Sequence, residues 1–125
     1  MKVKCVKLVD VNGDPVEFSP WLTISRVYHV MGIFMDQQSG LRYRIISQDR
    51  DPGFATMAYQ DAGLFEVVSD IIPSNWRIRI LNNSTIDISP AAWQQNGFLE
   101  AFYNRDQSSY PIFERERDAV FREDP

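Results

Sequence analysis

A chain of 125 residues with 44% hydrophobic and 24% charged side chains can bury a core as one domain without a metal or disulfide staple, and is not disordered. Its formal charge of −4, from 13 Lys and Arg against 17 Asp and Glu, opposes a general affinity for nucleic acid, whose phosphates demand clustered cations, and favours a basic protein partner. A single cysteine, Cys5, and a single histidine, His29, exclude an internal disulfide and the usual zinc ligand sets.

The opening MKVKCVKLV alternates lysine with apolar residues. It predicts a strand with Val3, Cys5, Lys7 and Val9 on one side, Cys5 being a buried strand residue. The segment lacks a long apolar h-region, and no run approaches the roughly eighteen apolar residues of a spanning helix. The expectation is a soluble protein of the compartment where it is made, most simply the cytosol. Asn12-Gly13 signals a turn, and Pro15 and Pro20 disfavour helix, leaving a short edge strand or extended connector to Trp21.

Between Leu22 and Val68 three apolar-alternating runs appear: Ile24, Val27, Tyr28, Val30 and Ile33, then Tyr43, Ile45 and Ile46, then Leu64, Phe65, Val67 and Val68. Polar stretches holding Gly40, Pro52 and Gly53 separate them, which predicts antiparallel strands joined by a hairpin and a longer loop. Asp70 to Asn75 is a boundary. Trp76 to Ile88 then reads as a hairpin turning at Asn82-Asn83-Ser84. At Ser89-Pro90 the period changes, with Ser89 as predicted N-cap and Pro90 at the first helical position, and this turn ends near Asn96-Gly97. A short helix over Phe98 to Asn104 and a last one from near Ser109 follow, the latter with Ile112, Phe113, Val120 and Phe121 as its apolar stripe. The fold class is α+β: a small antiparallel β-barrel or strongly bent sheet followed by short C-terminal helices. One domain spans 1–125, with a β-rich barrel part over about 1–70, a hairpin at 76–88 and a helical part at 89–123.

No G-x-S-x-G elbow, phosphate-binding glycine loop or metal set is present, so neither catalysis nor a cofactor is expected. His29 reads as an exposed or partly satisfied strand histidine. Arg42, Arg44, Arg77 and Arg79 alternate on two predicted strands and, with Tyr28, Tyr43 and Trp76, form a pattern that nucleic-acid binders also use. The overall acidity opposes that use, and the arginines read as surface residues on the outer side of half-buried strands. The stretch Gln48 to Gly63 is longer than a compact barrel needs, and joins Asp49, Asp51 and Asp61 to Phe54, Met57 and Tyr59. Two roles stay open for it: a protein-binding patch, or Phe54 and Tyr59 closing one end of the barrel.

The order Leu22-Thr23, Tyr28-His29-Val30, Tyr43-Arg44-Ile45, the acidic loop Asp49 to Gly53 and the closing Leu64 to Val68 resembles Src-homology-3-like barrel proteins of bacteria and phages. The long DRDPGFATMAYQDAG departs from the short acidic-glycine turn common in that family. With Phe65 to Val68, Pro73 to Trp76 and Pro90 to Trp93, the likeness over about residues 20 to 122 is similar to immunity proteins encoded beside polymorphic or contact-dependent growth-inhibition toxins. The resemblance implies stoichiometric inhibition of a basic toxin domain, often a nuclease, by blocking its active site. The expected contacts are Asp49, Asp51 and Asp61 to toxin Lys or Arg, with Tyr59 as anchor and Phe54 beside it. The alternative is a non-catalytic adaptor or structural module of a phage or mobile element.

Overall fold

The computed structural model describes residues 1–47, 56–82 and 84–125. Among them the chain forms β1 (Lys2–Cys5), β2 (Leu8–Val9), β3 (Pro15–Val16), β4 (Val27–Asp36), β5 (Gly40–Ser47), β6 (Thr56–Asp61), β7 (Phe65–Ser69), β8 (Trp76–Leu81), β9 (Thr85–Pro90), α1 (Phe98–Tyr103) and α2 (Tyr110–Glu123). No helix among them is long and apolar enough to cross a membrane.

The architecture turns on β4, ten residues long. One of its edges is shared. Its first half pairs with β1 and its second half with β9, while β5 runs along the opposite edge. The path β6-β5-β4-β1-β7 therefore carries a side branch through β9 to β8. The register slips between Val30 and Gly32, a bulge that bends the strand and lets Val30 and Met31 be buried in different cores. Glycine suits this bend, because a Cβ on Gly32 would stand 3.1 Å from the Ile88 carbonyl oxygen and 3.3 Å from Ser89 Cβ.

The α+β class and the strong bend agree with the sequence. A closed barrel does not form among the described residues: β6 and β7 end the strand path and are joined by a 3-10 turn, Ala62–Leu64, not by a ladder. The first strand is also shorter than its alternation suggested. The Val6 and Lys7 amides both donate to the Leu64 carbonyl, at 2.9 and 3.4 Å, and this kink turns Leu8 rather than Val9 into the core. Leu8–Val9 then pairs with Pro15–Val16 around the expected Asn12-Gly13 turn, where Asp10 Oδ1 accepts from the amides of Asn12 and Asp14. Ile24 falls outside β4, because Ser25 has a φ of 75°. Thr56–Asp61, expected to be loop, forms β6 along β5.

Two cores lie on opposite sides of the sheet. The inner one gathers Val3, Cys5, Tyr28, Val30, Tyr43, Ile45, Leu64 and Trp76. The outer one seats the helical segment on Met31, Ile46 and Met57 through Trp93, Phe98, Phe102, Phe113 and Val120. Trp93 stacks between Phe98 and Phe113, with ring centroids at 6.0 and 5.4 Å. Ser89 and Pro90 do not begin a helix as expected. They end β9, and Pro90 precedes a 3-10 turn, Ala91–Gln94, while Ser89 is buried with its hydroxyl accepting from Gln94 Nε2. The break at Gly97 and the start of α2 at Ser109, with its early proline, are as the sequence indicated.

Candidate functional site

Residues opposite one another across an antiparallel ladder share a face. The pairings Arg79 with Asp87, Asp87 with Phe34, Phe34 with Arg42 and Arg42 with Asp61 therefore lay one row across five strands. A second row holds Ser89, Gly32, Arg44 and Tyr59. A third, Ile46 opposite Met57, lies beneath the helices. The helix-bearing face thus grades from apolar under α1 and α2 to charged at the far side.

The reading of the arginines as surface residues fails for Arg44, which is only 2% exposed. Tyr59, in turn, is no free anchor. Its hydroxyl accepts a hydrogen bond from Arg44 Nη2, and the Arg44 guanidinium lies 4.5 Å from the centre of its ring. Arg42 sits 5.1 Å from the same ring and 4.9 Å from that of Phe34. From α1, the Tyr103 hydroxyl donates to the Met57 carbonyl at 3.0 Å, bringing the helix over this end of β6. Burial pushes the Tyr59 hydroxyl up to about 12, against the opposing pull of Arg44. Tyr59 therefore stays protonated across the neutral range.

Asp87 is 3% exposed and pairs with Arg79 at 2.8 Å. Its Oδ1, like Nε and Nη1 of Arg44, has no hydrogen-bond partner among the described residues. Sequence reasoning did not single out Asp87 or Phe34. The available signal was a charge inside the apolar run Thr85-Ile86-Asp87-Ile88, opposite a strand carrying two arginines.

Of the expected contact residues, Asp49, Asp51 and Phe54 lie outside the described residues. Asp61 and Tyr59 are two residues apart on β6, an end strand of the sheet. Asp61 is exposed and accepts from the Gly63 amide at 2.8 Å, capping the 3-10 turn that leads into β7. Arg42, opposite it in register, has its guanidinium 3.8 Å from Asp36, while Asp61 is held by the Gly63 amide. Tyr28, Tyr43 and Trp76 sit in the inner core, on the other face from the arginines.

His29 is half-buried, with Nε2 2.6 Å from the Asp124 carbonyl oxygen and its ring 4.6 Å from that of Phe121. A cleft of about 110 Å³ opens beside it, lined also by Tyr28, Met31 and Ile46. Cys5 is fully buried, and that burial raises its thiol above the ordinary value. Among the described residues no three His, Cys, Asp or Glu side chains converge to hold a metal ion. No protein family, curated protein or solved structure matches the chain.

Proposed function

We propose that the protein is a non-catalytic inhibitor of the immunity type, which acts in the cytosol by holding a basic toxin domain against an acidic surface and blocking access to its active site. The observation that carries this reading is the corner at the end of β6. Asp61 is exposed there, and the Gly63 amide orients its carboxylate before any partner arrives, which reduces the ordering cost of binding. Asp49 and Asp51 add two further charges nearby in sequence, and the net charge of −4 steers a cationic partner toward the chain. In this reading Tyr59 acts behind the contact surface by holding Arg44.

The test replaces Asp49, Asp51 and Asp61 together with Asn and measures affinity for the basic product of the neighbouring gene by calorimetry at low and high salt. Three rim ion pairs of up to about 1 kcal/mol each predict a loss of roughly ten- to a hundredfold at low salt, shrinking at high salt. Unchanged affinity at both salts would remove this corner from the interface.

A further inference from the structure

The inner, apolar face of the sheet continues past its cover. At the Trp76 end β8 is buried in the inner core, but Ile78 and Ile80 on the same side are 63% and 65% exposed. In register with them run Ile88 and Ile33 from Ile78, and Ile86, Met35 and Leu41 from Ile80. The cause is the division of β4. Its second half pairs with β9, beyond the reach of β1 and β7, so this part of the sheet extends past the elements that close the inner core.

β8 is also a sheet edge, since it pairs with β9 alone among the described strands. Folded proteins blunt such edges with proline, bulges or charged side chains, lysine above all. β8 has neither proline nor lysine and runs in unbroken register with β9. Its only charges are Arg77 and Arg79, both on the helix-bearing side. Arg79 is bound to Asp87, whereas Arg77 donates only to the carbonyls of Ser74 and Trp76 and has no carboxylate partner among the described residues.

We propose that β8 takes up an extended segment of another protein as an added strand, one whose side chains alternate between apolar residues, packed on Ile78 and Ile80, and carboxylates, set opposite Arg77 and Arg79. The charges select this occupant over a second copy of the chain. In a two-fold antiparallel pairing of β8 with itself, opposed residues share a face. Each alignment that pairs five residues then sets Arg79 against an arginine of the other copy, a repulsive arrangement. An acidic strand converts the same positions into attractive pairs, while backbone hydrogen bonds supply the sequence-independent part of the affinity. This inference does not rest on the acidic corner, which lies on another edge and has the opposite charge preference.

The experiment uses a short capped peptide of alternating valine and glutamate, with a valine and lysine counterpart, titrated into the isotopically labelled full chain. The expected result is saturable binding of the glutamate peptide, with amide shifts centred on Trp76–Leu81, and roughly tenfold weaker binding of the lysine peptide. Arg77→Glu removes the preference. Ile80→Lys, at an exposed site and with its fold checked by circular dichroism, weakens both peptides. Binding of neither peptide, equal binding of both, shifts confined to another surface, or concentration-dependent self-association abolished by Ile80→Lys would each overturn the proposal. Asp61→Asn leaves these titrations unchanged, so they are independent of the test of the acidic corner.

Discussion

Removing the hydroxyl of Tyr59 is a sharp test of the charged rows. Tyr59→Phe keeps the ring over which the Arg44 guanidinium lies, and deletes only the oxygen that accepts from Arg44 Nη2. Arg44 already has Nε and Nη1 without hydrogen-bond partners among the described residues, so the variant leaves a buried cation with its last side-chain acceptor gone. A hydrogen bond to a charged group contributes about 1.5–3 kcal/mol, and that is the expected loss of unfolding free energy. Arg44→Met behaves differently. It removes the charge together with its desolvation cost, keeps most of the volume, and leaves the half-buried hydroxyl of Tyr59 able to turn toward water. Its expected cost is within about 1 kcal/mol of zero. The reasoning then requires coupling: in the Arg44→Met background, Tyr59→Phe costs under about 0.5 kcal/mol. Urea denaturation of all four proteins, followed by tryptophan fluorescence and extrapolated linearly, measures the cycle. If Tyr59→Phe is equally costly in both backgrounds, or Arg44→Met alone costs more than about 3 kcal/mol, the account of Arg44 as a buried charge held by one phenol is wrong.

Alkaline titration should find the Tyr59 phenol ionising near pH 12 by ultraviolet difference spectroscopy, a step absent from Tyr59→Phe. Because its folded value lies above the ordinary 10.0, the unfolded chain loses this proton first, and Tyr59 lowers stability progressively from pH 10 upward. Burial opposes the charge on Asp124, but hydrogen bonds from the Ser69 hydroxyl and the Met1 amine, with the charges of that amine and Lys2, leave its carboxyl below the ordinary value. Its contribution is therefore complete above the unfolded carboxyl value of about 4 and is lost as pH falls through the lower folded value; Asp124→Asn should flatten the acid limb of a stability profile across that window. Gly32→Ala drives a Cβ to 3.1 Å from the Ile88 carbonyl oxygen at the β4 bend and should cost about 1–3 kcal/mol by urea melts. Trp93→Ala removes the centre of the outer aromatic stack and should cost about 3–5 kcal/mol, with loss of the near-ultraviolet dichroism of that cluster.

Local chemistry was readable wherever it acts within a few residues. The Asn12-Gly13 turn, the glycine break at Gly97, the α2 start at Ser109, the buried Tyr43 and Ile45, and the hairpin around Asn82 depend on backbone preference or on a short alternation that no distant contact overrides. The strong bend and α+β class were legible for the same reason, since alternation gives way to helical spacing in the last third of the chain.

Tertiary structure decided which face each charge occupies. Arginine alternation is the same on a solvated strand and on one later covered, and tertiary contacts, the Tyr59 ring among them, make Arg44 a buried cation. The sharing of one β4 edge between β1 and β9 is likewise a matter of long-range pairing, and among the described residues it leaves the sheet open with β8 paired on one side only. The kink at Val6 and Lys7 that exchanges Leu8 for Val9 depends on a carbonyl, Leu64, nearly sixty residues away. Periodicity reports that a side chain alternates; which side is buried is set by what arrives from elsewhere in the chain.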